Sequence, residues 1–531
     1  MLPCQKDRNQ IKIEKRGIPM GFMDNLKATL DHSWNVSVTE NGAVGYKTAG
    51  SKLVDINFQV SSLRNQSEQE IIHKFSDAFY EDRLLAVKWL FFAGDVRGGL
   101  GERRLFRIGL RYLGETQPKL VRALLEWIPE YNRWDSMFCL LDTSLADDVV
   151  QIIKTQLEAD WNFYIEKQPI SLLAKWMPSI NASSKETRRL AHRLAEKLSL
   201  TDCEYRQMLS KLREHLRVVE VLISRGDWSQ IDYSAVPSSA NLKYRKAFLR
   251  HDKVRREEFL AKLETQEEKI HASVLFPHDI VHQYCIATKW RNGEDAALEG
   301  LWKALPDMVN GAGNTICVAD GSGSMTASVG GTSVRCIEVA NALAIYFAER
   351  CSGQFKDNYI TFSLTPKLVD LSRAHSLREK LEIAFRHNEV ANTNIEAVFE
   401  LILRTALQNR MKQEELPQNI LILSDMEFDS CTVCRSGGSV NRPTKRLFEI
   451  LKDRYAAEGY VLPRLVFWNI CSRTGTIPVR ENGLGVSLVS GFSPSIVKMV
   501  LSNSVDPYQC LIEQLNRERY DAIEQALREI I

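Results

Sequence analysis

From about residue 66 to 305 the apolar positions recur at helical spacing. In "YRQMLSKLREHLRVVEVL", residues 205 to 222, Tyr205, Met208, Leu209, Leu212, Leu216, Val219 and Leu222 fall on one helical face. Arg206, Lys211, Arg213 and Arg217 fall mostly away from it. "LLAVKWLFFA" (84 to 93) runs through the turn "GDVRGGLG" into "ERRLFRIGLRYL" (102 to 113). Helix pairs with short turns recur, without a fixed period or a diagnostic repeat motif. Each pair must bury its apolar face on a neighbour, so the pattern predicts a curved, HEAT-like stack of helix pairs.

After about residue 312 the pattern changes to strand alternating with helix. Strands are predicted at 314 to 320 ("NTICVAD"), 358 to 363, 367 to 371, 419 to 425 ("NILILSD"), 464 to 470 and 485 to 491. Helices are predicted at 333 to 351, 376 to 387, 394 to 409, 443 to 458 and 494 to 502. Continuous apolar strands between amphipathic helices imply a doubly wound α/β unit, a parallel sheet covered on both faces. A last acidic amphipathic helix, 507 to 530, is suited to pack back on the helical half. The expected divisions are a tail and lead-in over 1–60, a helical domain over 61–311, an α/β domain over 312–503 and a C-terminal helix over 504–531.

The chain has 531 residues, 44% hydrophobic and 26% charged, which suffices for a large core without disulfides. Eleven scattered cysteines, an odd number, point to a reducing compartment, and a cytoplasmic location is expected. No run reaches the roughly 18 apolar residues of a membrane span. The N-terminal "MLPCQKDRNQIKIEKRG" lacks an apolar signal core. It reads as a loose tail, or translation starts at Met20 or Met23. Net charge is only +2, but it is unevenly placed. Residues 171 to 256 carry 18 Lys/Arg against 9 Asp/Glu, and residues 257 to 300 carry 4 against 9.

The chemistry concentrates in "ICVADGSGSM", 316 to 325, where an apolar strand ends in Asp320 and a glycine–serine loop. A phosphate cradle would need a lysine after its glycines, and none is present. An activated serine would need a base, yet no histidine lies between Ser324 and His375, and G-x-S-x-G is not matched. A metal site needs only oxygen ligands converging from loops. Asp320 and Asp425 end predicted strands, and Thr393 precedes a predicted helix. In an open α/β sheet all three emerge on one side.

The D-x-S-x-S sequence of Asp320, Ser322 and Ser324 resembles the metal-ion-dependent adhesion motif of von Willebrand A domains, and Thr393 and Asp425 match its later parts in order and context. The resemblance implies Mg²⁺ (or Mn²⁺) bound through the hydroxyls of Ser322, Ser324 and Thr393, with Asp320 and Asp425 acting partly through water. It also implies an open position for an acidic protein ligand or a phosphate. "SDMEFD" (424 to 429), "LVFWNI" (465 to 470) and "GVSLVSGFS" (485 to 493) resemble an uncharacterised von Willebrand A family of plants, bacteria and phages. So do "GDVRGGLGERRLFR", "YNRWDSM" (131 to 137), "LLAKWMPSINASS" (172 to 184) and "FPHDIV" (276 to 281) in the helical half.

A helical half followed by such a domain resembles the Ro autoantigen and its TROVE-domain relatives. That resemblance implies a helical ring that binds single-stranded ends of misfolded RNA in its hole and small structured RNAs outside. The expectation is therefore a monomeric, non-enzymatic RNA-binding protein without a membrane partner. The alternative is a metal-dependent protein–protein adaptor. Lys and Arg on an accessible face would hold phosphates. The candidates are Arg97, Arg103, Arg104, Lys175, Arg188, Arg189, Arg193, Lys243, Arg245, Lys246 and Arg250, with Trp161, Tyr164, Trp176 and Tyr244 for stacking. The glycines beside Arg97, Arg103 and Arg104 suit a close approach to a nucleic-acid backbone. Two further signals are set aside. Cys431 and Cys434 lack a second zinc-binding pair, and His278 and His282 read as a helix-start and a surface histidine rather than a metal pair.

Overall fold

The computed structural model describes residues 34–40, 44–286, 293–309, 314–362, 365–388, 395–427, 445–478, 486–497 and 506–531. The chain is helix-rich to about residue 303, and a six-stranded mixed sheet follows.

Local signals start the helices where the sequence places them. Ser67 caps Glu68–Glu81 by accepting from the Glu70 amide at 3.2 Å, and Ile71, Phe75, Ala78 and Phe79 are its buried stripe. Asp82 caps the next helix, Arg83–Gly94, whose residues Ala86 to Gly94 are all buried. That helix is the hub of the helical half. Even Lys88 is buried there, its ammonium held by Glu524 at 2.7 Å and Asn516 at 2.9 Å. The stripe from 205 to 222 is divided between two helices, Asp202–His215 and Val219–Arg225. The break falls at Arg217, which sits in the left-handed region at φ 48°. Apolar periodicity survived the break because both pieces bury the same side, so periodicity alone did not reveal it.

The strands of the sheet are β3 (Thr315–Asp320), β4 (Asn358–Phe362), β5 (Leu368–Asp370), β6 (Asn419–Ser424), β7 (Arg464–Asn469) and β8 (Val486–Ser490), in the order β5-β4-β3-β6-β7-β8. All neighbours are parallel except the edge strand β5, which is antiparallel to β4. After β3 the chain builds the sheet to one side, and after β6 to the other. The β3/β6 junction is therefore the topological switch point, where loops part and leave a crevice. The helix Cys336–Arg350 is buried from Cys336 through Ala348, because Pro277–Ile286 of the helical half packs against it as β3 does from the sheet.

The described residues of segments 34–61 and 506–531 are tied into this frame. A two-stranded hairpin, β1 (Val36–Val38) with β2 (Val44–Tyr46), bridges from Tyr46 to Ile477. The Ser61 hydroxyl bonds Ser490 at 2.7 Å and the Asn469 carbonyl at 3.0 Å. The lead-in is thus part of the sheet's β7–β8 side. The C-terminal segment forms two helices, Pro507–Leu515 and Asp521–Leu527, instead of one. The interruption places Arg519 and Tyr520 on the buried Asp95 carboxylate, at 2.5 Å and 3.1 Å.

His278 sits where the halves meet. It is buried, with its ring 5.0 Å from Phe492, and burial pushes its pKa down to about 4. The fold therefore holds it neutral, while the unfolded chain protonates it near pH 6.5. Its contribution is intact above that value and is lost as pH falls toward 4, by about 2 kcal/mol at pH 5. Urea unfolding of His278→Phe should show a loss between pH 7.5 and 5 that is smaller than wild type by about that amount. An identical loss in both would place the acid sensitivity elsewhere.

Candidate metal centre and nucleic-acid interface

Asp320 and Asp425 end β3 and follow β6, on the two strands of the switch point. Both are buried, at 2% and 1% exposure, and near enough that the Asp320 charge acts on Asp425. Asp320 accepts the Ser322 amide at 2.9 Å and the Ser424 hydroxyl at 2.6 Å. The hydroxyls of Ser322 and Ser324 lie 2.9 Å apart. Burial first, and then the Asp320 charge, raise the Asp425 pKa to about 7. The cation recorded near Asp425 is Arg473, whose guanidinium is 3.8 Å away and sits closer to Glu40 at 2.5 Å. Two adjacent buried carboxylates with two hydroxyls form an electron-rich, all-oxygen set, the donor chemistry of a hard divalent cation. Among the described residues, no three His, Cys, Asp or Glu side chains gather to hold an ion, so hydroxyls must complete any such site. Thr393 lies outside the described residues, as do Cys431 and Cys434.

The sequence did not single out Ser424 or Glu427. Glu427 is buried and accepts from the amides of Glu40 (2.7 Å), Arg473 (2.8 Å) and Thr474 (3.0 Å). It fixes the loop that carries Arg473 beside the two aspartates.

The helical half contains a hollow of about 1580 Å³. Its wall runs from the turn after Arg83–Gly94, past residues 129–139, 172–190 and 210–225, to 235–240 and 271–274. Next to that last segment, the Phe276 ring packs close to Gly101 of the turn. Among the described residues, seven cations line it, Arg97, Arg103, Arg107, Arg133, Lys175, Arg213 and Arg225, against the four carboxylates of Asp95, Glu130, Asp135 and Glu220. Arg107 and Arg133 share Asp135, at 2.8 and 2.7 Å. Arg103 and Lys175 have no ion pair among the described residues. Burial, and then the Arg133 charge, lower the Arg103 pKa. Arg133 stacks 4.1 Å over Trp176, giving the wall a flat aromatic–guanidinium surface.

The sequence candidates separate by this geometry. Arg97, Arg103, Lys175 and Trp176 line the hollow. Arg104 does not: it donates to the carbonyls of Leu63 (3.2 Å) and Gln66 (2.9 Å) and fastens its helix to that segment. Arg188 holds the carbonyls of Ala182 and Ser183, and Arg193 pairs with Asp142 at 2.6 Å. Arg189, Lys243, Lys246 and Arg250 are exposed outside the hollow. Arg245 corrects the expectation of an accessible cation. It is 5% exposed and spends its guanidinium on Asp295, Gln283 and the Leu242 carbonyl. Of the other aromatics, Trp161 and Tyr164 pack on each other at 5.3 Å, and Tyr244 lies under Lys243. Arg107, Arg133, Arg213, Arg225 and Trp134 were missed, although "YNRWDSM" contains two of them. His282 is buried rather than on the surface, with Nδ1 2.6 Å from Glu338.

No helix among the described residues is long and apolar enough to cross a membrane. Residues 314–527 match a domain of unknown function, DUF7788, and residues 142–314 match a second, DUF2828. The uncharacterized protein L728 of Acanthamoeba polyphaga mimivirus is 29% identical over 521 residues, 91% of this chain and 87% of its own length. The crystal structure of the Deinococcus radiodurans RO (RSR) protein aligns over 88% of this chain and 99% of its own, at 13% identity and a TM-score of 0.42.

Proposed function

We propose that this chain is an RNA-binding protein of Ro-like type. Single-stranded ends of misfolded or small non-coding RNAs enter the hollow of the helical half, and the Asp320–Asp425 loop holds Mg²⁺ or Mn²⁺. Both roles are binding roles. The observation that carries the reading is the wall of the hollow, with unpaired Arg103 and Lys175 beside the Arg133–Trp176 stack. Unpaired cations suit phosphates, and a flat aromatic suits a base. A volume of 1580 Å³ exceeds the ~300–1,000 Å³ of an ordinary small-molecule cleft and suits a segment of polymer. The von Willebrand A-like motif and the arrangement of the two halves along the sequence agree with it.

The test is fluorescence anisotropy with a hairpin bearing a 3′ overhang, against the same hairpin blunt. The overhang should bind more tightly. Arg103→Gln with Lys175→Gln should flatten the log–log salt dependence by up to about 1.4, at about 0.7 per phosphate contact. Trp176→Ala should cost about 1–3 kcal/mol per stacked base. The triple change of Arg188, Arg189 and Arg193 should matter less, because two of them already bond within the fold. No overhang preference, with the double variant unchanged, would remove RNA from the hollow. Metal-dependent capture of an acidic protein would then favour the adaptor.

A further inference from the structure

At the seam between the halves, three side chains from separate places stand in line. The Ser333 hydroxyl is 3.0 Å from His282 Nε2, and His282 Nδ1 is 2.6 Å from Glu338 Oε2. The other Glu338 oxygen accepts from Arg335 Nε at 2.7 Å. His282 comes from Pro277–Ile286, Glu338 from Cys336–Arg350, and Ser333 from the loop preceding that helix. We propose that Ser333, His282 and Glu338 form a nucleophile, base and orienting acid that cleave small carboxylic esters. This goes beyond RNA and metal binding and does not depend on either.

The geometry meets the requirements of an activated serine one by one. A carboxylate only accepts hydrogen bonds, so Glu338 keeps the proton on Nδ1 and leaves Nε2 as the acceptor facing Ser333. Glu338 is 2% exposed and His282 8%, whereas Ser333 is exposed, so the base is protected and the nucleophile is accessible. The loop is held in place. The Val329 amide bonds the Val334 carbonyl at 2.8 Å, the Cys336 amide bonds the Ala327 carbonyl at 3.0 Å, and Ser328 bridges to Arg335. The Ser333 side chain is exposed, so its hydroxyl can be reached from solvent. Ser333 belongs to no nucleophile motif in the sequence, and its histidine precedes it by 51 residues on another helix.

The steps balance without any further reagent than water. His282 Nε2 takes the Ser333 proton as Oγ attacks the ester carbonyl carbon. The bond to the leaving alcohol breaks, and Nε2 returns the proton to that oxygen. Water, deprotonated by Nε2, then attacks the acyl–serine. The Oγ–acyl bond breaks, Oγ regains a proton, and the carboxylic acid leaves.

The experiment treats the full chain with an alkyl fluorophosphonate, maps the adducts by mass spectrometry, and follows hydrolysis of p-nitrophenyl acetate. Ser333 should be labelled at least about 100-fold faster than the other exposed serines of the same molecule. Ser333→Ala should abolish both the adduct and the hydrolysis, and His282→Gln should slow both by about 100-fold or more. The wild-type comparison stands even if His282→Gln fails to fold. Labelling of Ser333 no faster than the other serines would overturn the proposal and leave His282–Glu338 as a clamp between helices. Undiminished labelling in folded His282→Gln would overturn it equally.

Discussion

Asp320→Ala combined with Ser322→Ala should abolish divalent-cation binding, and Asp425→Asn should abolish it while making the metal-free protein more stable. The reason is the pair of buried carboxylates at the switch point. Burial, and then the Asp320 charge, hold the Asp425 proton well above the usual carboxylate range, so without a cation the pair is costly. Asparagine keeps the shape and still accepts the Glu427 amide, which bonds Asp425 at 3.2 Å. It also removes one of the two charges. A cation reverses the balance, because the same charge density becomes its binding energy. At a hundredfold excess over Kd, Mg²⁺ or Mn²⁺ should stabilise wild type by about 2.7 kcal/mol and the variants by nothing. Calorimetric titration with Mn²⁺ and thermal scans with and without it would read both effects. Equal affinity in wild type and double variant would leave the loop as hydrogen-bonded structure. Stabilisation of Asp425→Asn by metal would move the site elsewhere.

Much of this site was legible because its signals are local. A run such as "NILILSD" must be a buried strand, and the acid that ends it must lie at the strand's carboxyl end. The remaining step, that Asp320 and Asp425 lie on neighbouring strands, needs the sheet order, which single-strand patterns do not contain. Charge was harder to read. The excess of Lys and Arg over 171 to 256 predicted an accessible face, but Arg245 has its partner at Asp295, 50 residues on, inside the acidic stretch read as a separate feature. Arg256 is fully buried among the rings of Tyr233, Phe248 and Phe259, between 4.8 and 5.3 Å away. Counting charges along a chain measures supply, whereas a binding face depends on which of them remain unpaired after folding. That is why Arg103 and Lys175 emerge as the sharper candidates. The base for Ser333 was hidden for the same reason, since its spacing follows from two helices packing and not from any motif.

The turn "GDVRGGLG" shows that a glycine signal can serve the fold itself. Its glycines were read as room for a nucleic-acid backbone, and at Gly99 the room is taken by the chain's own backbone. A Cβ on Gly99 would stand 1.9 Å from the Phe92 carbonyl oxygen and 2.9 Å from its carbon. That carbonyl accepts the Leu100 amide at 3.1 Å, while Glu102 donates to the Ala93 carbonyl at 2.7 Å. These bonds fold the turn onto the end of the hub helix and launch the helix that carries Arg103. Because both contacts are backbone, no side-chain rotation relieves them. Gly99→Ala should therefore unseat the turn and cost more than about 3 kcal/mol. Gly98 provides the contrast. Its Cβ would meet only side-chain atoms, Arg519 Cδ at 2.8 Å and Asp95 Oδ2 at 2.9 Å, so a shift of that ion pair can relieve it, and Gly98→Ala should cost about 1–2 kcal/mol. The Gly101–Phe276 joint and the Arg103 guanidinium both depend on the turn. If the hollow binds RNA, Gly99→Ala should lose affinity more than tenfold even at a temperature where circular dichroism shows it helical, and Gly98→Ala should not. Equal thermal midpoints for the two variants would refute the backbone contact as the reason for Gly99.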